Sequence, residues 1–100
     1  MIIVIARVVI HPANLAEALA LSQAHVARSR AEPGCLAHAV HQDSEDANRL
    51  VFVEEWSDQA ALKAHFRVPA SRTFATALGA LASQPPKMTI YSAEPVMDRR

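Results

Sequence analysis

Glycine is almost missing from this 100-residue chain: only Gly34 and Gly79 occur. A dinucleotide fingerprint or a phosphate loop needs closely spaced glycines, so neither can be present. A nicotinamide or flavin held on a glycine-rich turn is excluded with them, and no cofactor is expected. Cysteine is as scarce. Cys35 stands alone, which rules out an internal disulfide and a Cys-x-x-Cys pair. No H-E-x-x-H run, paired Cys/His spacing or G-x-S-x-G nucleophile turn occurs, so no metal site is expected. Neither sign of charge dominates, with ten Lys plus Arg against ten Asp plus Glu. Binding to a phosphate backbone needs concentrated positive charge, and only the terminal Arg99-Arg100 pair offers any; nucleic acid is not an expected partner. No apolar run approaches the ~20 residues of a membrane helix. The opening MIIVIARVVI lacks a basic leader and a small-residue cleavage site. Neither a signal peptide nor a membrane partner is expected, and cytoplasmic residence is the default.

What the chain does have is aliphatic surface: 51% of residues are hydrophobic, yet only five are aromatic. Residues 2–10, IIVIARVVI, are β-branched and read as a strand. Its two alternating faces, Ile2, Val4, Ala6, Val8, Ile10 and Ile3, Ile5, Arg7, Val9, are both apolar apart from Arg7. A helix is predicted over 15–31, after a possible cap at Asn14 and before Pro33-Gly34. Residues 35–42 and 49–56 form a predicted hairpin around the polar turn DSEDAN at 43–48. Ser57 is placed to cap a short helix over 58–66. Pro69 interrupts it, a further helix follows over about 71–81, and Pro85-Pro86 precedes a last strand at 87–94.

The order β-α-β-β-α-β predicts an α+β fold, a ferredoxin-like antiparallel sheet with helices on one face. One domain is expected over 1–95, with 96–100 as a C-terminal tail. Helices on one face leave the other side of the first strand bare, although it is equally apolar. Only a second copy can cover it, so a homodimer with sheets face to face is predicted.

The runs EPGCLAHAVHQD at 32–43 and FVEEWSDQAALKAHFRVPASRTF at 52–74 resemble the antibiotic biosynthesis monooxygenase family. The resemblance rests on Glu55-Trp56, Ala61-Leu62, His65, Pro69 and Phe74 in order and at matching spacing. It implies a dimeric α+β barrel and, among its members, cofactor-independent oxygenases of quinols and polyphenols. The chain departs from the family pattern at Ala70, where a His often follows the proline, and at His38, where a Tyr is usual. A haem-degrading branch shares the fold, but the positions it uses are Arg7, His65 and Ala75 here, so haem is not expected.

This resemblance implies a small aromatic substrate as the partner and a cavity between helices and sheet. His65 shares a helix face with Ala61, Leu62 and Phe66 and is the candidate base, since imidazole titrates near neutrality. The other reading is an imidazole bonded to a backbone carbonyl near Pro69. Arg7 is a candidate oxyanion clamp, or else an ion-pair partner of Glu54, of Glu55 or of an acid from the second subunit. Phe52, Trp56, Phe66 and Phe74 are candidate ring walls or simply core. His38 is a candidate donor to the substrate, and Glu54 a candidate to orient an imidazole. His11 and His25 read as a strand-end and a helix-surface residue, and Glu32 as part of a polar helix face. Two other functions stay open: a non-catalytic ligand-binding or stress-associated dimer, and an isomerase of a small carbonyl sugar.

Overall fold

The computed structural model describes residues 1–100. Strand β1 spans Ile2–Val9, a 3₁₀ turn covers Pro12–Asn14, and helix α1 runs Leu15–Arg30. Strands β2 (Cys35–Gln42) and β3 (Arg49–Trp56) follow, then α2 (Gln59–Arg67), α3 (Pro69–Leu81) and β4 (Lys87–Ser92). The sheet is antiparallel throughout, in the order β2-β3-β1-β4. This is the predicted ferredoxin-like α+β arrangement. No helix is long and apolar enough to cross a membrane.

Period-two alternation decides what lies under the helices. Ile2, Val4 and Val8 of β1 and Ile10 just beyond it are buried, as are Leu50, Phe52, Glu54 and Trp56 of β3. The core forms two apolar clusters. One joins Val8, Ile10, Leu50 and Phe52 to Ala18, Val26 and Leu78 of the helices. The other joins Ile2, Val4 and Trp56 to Leu62. Between Phe52 and Trp56 on the same strand face stands Glu54, with His38 as its cross-strand neighbour. The gap between the two clusters is therefore polar.

Helix ends follow local chemistry. Asp58, not Ser57, caps α2, accepting from the Ala61 amide at 2.8 Å. Asn14 makes no cap bond with its side chain; its Nδ2 donates to the Leu81 carbonyl instead. Pro69 lacks an N–H and sits in the first turn of α3, which begins there rather than at 71. Val68, extended at φ −64° and ψ 122°, ends α2 and starts α3.

Gly34 holds the loop after α1 against α2. Its φ of +82° is in the left-handed region, and its carbonyl accepts from the Ser57 amide at 2.8 Å. A Cβ there would stand 2.5 Å from the Ala61 Cβ and 2.8 Å from the Ser57 Oγ. Only glycine lets the loop come this close.

The far side of the sheet carries no helix. Ile3, Ile5, Val9, Val51 and Val53 are half-buried there, and Arg7 is exposed among them.

Candidate functional site

Three elements bring three imidazoles together in the polar gap. His25 comes from α1, His38 from β2 and His65 from α2, and each is at least 95% buried. Their ring centroids are 5.3 Å apart for His25–His38, 5.4 Å for His25–His65 and 5.7 Å for His38–His65. His25 stacks flat on Phe74, with centroids 4.0 Å apart and an interplanar angle of 8°. Trp56, fully buried, packs on His65 at 4.6 Å.

Two carboxylates serve the cluster. Glu32 lies 2.9 Å from His65 Nδ1. A carboxylate oxygen accepts here, so in the neutral imidazole this contact puts the hydrogen on Nδ1 and leaves Nε2 with a lone pair. Glu54 accepts from the Trp56 indole at 2.9 Å and stands 3.3 Å from His38 Nε2. The His38 contact has the distance of an ion pair but not the angles of a hydrogen bond, so neither His38 nitrogen has a hydrogen-bond partner. His25 Nδ1 and Ser22 Oγ are also buried without one.

Burial shapes the electrostatics. The His25 imidazole is lowered from 6.5 to about 4, first by burial and then by the neighbouring His38 and His65; Glu54 acts the other way, and Arg28 adds slightly to the lowering. Burial works to raise the Glu54 carboxyl, but the His38 imidazole, the Trp56 indole and His65 together outweigh it and hold the group below its usual value. Burial pushes the Cys35 thiol up, with Glu32 and Glu54 adding to the effect, so it is poorly suited to act as a nucleophile.

The His25 depression carries a stability prediction. The unfolded chain takes up this proton near pH 6.5, whereas the folded protein resists it until about pH 4. The contribution is full above pH 6.5 and is lost as pH falls towards 4. The whole shift corresponds to about 3 kcal/mol; solvent reaching the ring through the cavity reduces this to about 2 kcal/mol. Urea denaturation across that range should show the loss, and His25→Asn should flatten most of it.

A cavity of about 230 Å³ opens beside the cluster, between α2, α3 and the sheet. His25, His65 and Glu54 meet it on one side, and Phe52, Phe66 and Phe74 add aromatic surface. Arg7, Arg72 and Lys87, all exposed, also border it.

The sequence-predicted residues thus divide. His65, Phe52, Glu54, Phe66, Phe74 and Arg7 border the cavity. Trp56 and His38 do not; they lie behind His65 and Glu54. The expected pairing of Arg7 with Glu54 or Glu55 within the chain is corrected. Its strand face is opposite that of Glu54, and it has no ion-pair partner. Glu54 does contact an imidazole, though that of His38 rather than His65. His25 and Glu32 are corrected outright: neither is a surface group of the helix. His25 lies seven residues after the buried Ala18 and three after the buried Ser22, a spacing that places it on the inward stripe. No local signal marks Glu32, because the Gly34 turn is what carries it to His65.

The model of the antibiotic biosynthesis monooxygenase family matches residues 1–77. An uncharacterised protein of Synechocystis sp. is 33% identical over 90 residues, which are 90% of this chain; the chain spans 61% of that relative's length. A crystal structure of an antibiotic biosynthesis monooxygenase is 33% identical with a TM-score of 0.88, covering 95% of this chain and all of the other. The crystal structure of PA3566 from Pseudomonas aeruginosa is 30% identical with a TM-score of 0.84, covering 94% of each chain.

Proposed function

The chain belongs to the antibiotic biosynthesis monooxygenase family, and from that premise we propose that it oxidises a quinol- or polyphenol-like aromatic molecule with O2, without a bound cofactor. The observation that carries the reading is His65, held by Glu32 at 2.9 Å and set beside a cavity with aromatic walls. Nε2 takes the phenolic proton. The phenolate passes one electron to O2, and the resulting radical pair combines into a carbon-bound peroxide. His65 returns the proton to the peroxide. The O–O bond then breaks with loss of water, taking the hydrogen from that carbon and leaving a carbonyl that keeps one oxygen atom. Phe52, Phe66 and Phe74 hold the ring.

The cavity volume, about 230 Å³, is just under the range usual for drug-sized ligands, which favours one or two rings. Arg72, exposed on α3 at the cavity border, adds positive charge and favours a substrate that also carries a carboxylate. Oxygen uptake by chelator-treated protein should therefore exceed the protein-free rate most with a one- or two-ring hydroquinone acid. Uptake equal to that control across the panel ends the proposal, and conversion of a sugar under nitrogen would replace it with an isomerase.

The reading includes a homodimer built on the bare sheet face, where Ile3, Ile5, Val9, Val51 and Val53 are half-buried without a covering layer. Sedimentation equilibrium should give twice the 10.9 kDa chain mass. A monomer at micromolar concentration would contradict the pairing.

A further inference from the structure

We propose that His25, His38 and His65 form a binding site for one divalent transition-metal ion of the zinc and cobalt class. One ring nitrogen from each lies within 4.8 Å of the other two, and all three residues are buried. Three imidazoles around a tetrahedral ion, with metal–nitrogen bonds of about 2.1 Å, would place their ring centroids about 5.3 Å apart. The observed separations are 5.3, 5.4 and 5.7 Å. The centroids thus need hardly move; ring rotation brings the nitrogens to the roughly 3.4 Å spacing that tetrahedral bonds of this length require.

The nitrogens are also free to bind. His25 Nδ1 and both His38 nitrogens are buried without hydrogen-bond partners, a costly state that a metal bond would relieve. His65 has Nδ1 committed to Glu32, leaving Nε2 available. Glu32 and Glu54 stand where carboxylates orient metal-bound histidines in other proteins. Their two negative charges balance a divalent ion held in this buried polar gap. Imidazole donors suit zinc and its neighbours and disfavour magnesium or calcium. Three ligands leave a fourth position for water or a substrate oxygen.

This site does not rest on the oxidation reading, though the two share His65. An ion on Nε2 removes the lone pair that proton transfer needs, so metal loading should suppress cofactor-free oxygen uptake. The binding test uses no substrate. Co2+ is titrated into chelator-stripped protein at neutral pH, followed by its visible ligand-field bands and by quenching of Trp56, the chain's one tryptophan, 4.6 Å from His65. One ion per chain with tetrahedral bands is expected. His25→Ala and His38→Gln should each weaken binding at least about tenfold, and His41→Ala, at the exposed hairpin, should leave it unchanged. Should a variant fail to fold, the wild type decides alone: saturating Zn2+ should raise its thermal midpoint. Absence of bands and quenching, an unchanged midpoint, or equal affinity in folded His25→Ala protein overturns the proposal.

Discussion

His65→Ala should lower kcat for oxygen uptake by about two to four orders of magnitude, the range that a positioned general base contributes. The substitution leaves a gap beside Trp56, whose ring is 4.6 Å away, so His65→Gln serves as the fuller-volume control. Both should lose activity alike while their circular dichroism stays native. Glu32 acts through His65 and is a positioning residue. Glu32→Gln should reduce kcat on the order of tenfold and leave KM nearly unchanged, because the amide can still accept from Nδ1 but carries no charge. A merely structural role would instead lower stability and move both constants. Full activity in His65→Gln would mean that proton transfer goes elsewhere, and the proposed chemistry would fall with it.

Gly34→Ala should destabilise the protein by about 3 kcal/mol, combining left-handed backbone strain with overpacking. The added methyl would sit 2.5 Å from the Ala61 Cβ, and its φ of +82° disfavours any side chain. For a domain of this size that corresponds to a fall in Tm of roughly 15 °C. Activity should fall further than stability alone explains, since the same loop carries Glu32 to His65. Gly79→Ala is the opposite case. Nothing lies within 4 Å of its would-be Cβ, and the residue is inside α3. That change should stabilise by roughly 0.5–1 kcal/mol. Differential scanning calorimetry of the two variants, measured side by side, separates the effects; equal shifts would refute the packing argument at Gly34.

The β-strand boundaries at β2 and β3 were legible because alternation and turn residues are local signals. The helix–break–helix around Pro69 was legible for the same reason, since proline removes a donor wherever it occurs. Ser57 and Asp58 show the limit of that reasoning. Both are competent caps, and the choice between them depends on the exact path of the chain into α2. The cavity beside Phe52, Phe66 and Phe74 was implied by the family resemblance; spacing alone left the three rings as wall or core. Trp56 and His38 could not be separated from that cavity, because facing the helices and touching empty space are the same instruction along a strand.

Sequence periodicity by itself determined the element order, the antiparallel sheet, the apolar first strand and the inward side of α2, since each depends on residues close together in the chain. The tertiary structure alone decided that Glu32 meets His65, that His25 joins His38, and that Arg7 faces away from Glu54. Those contacts arise where separate elements cross, and the crossing is set by packing of the whole sheet and by one loop that tolerates only glycine. Spacing along α1 can turn His25 inward, but it does not say which side chains of other elements that packing brings against it.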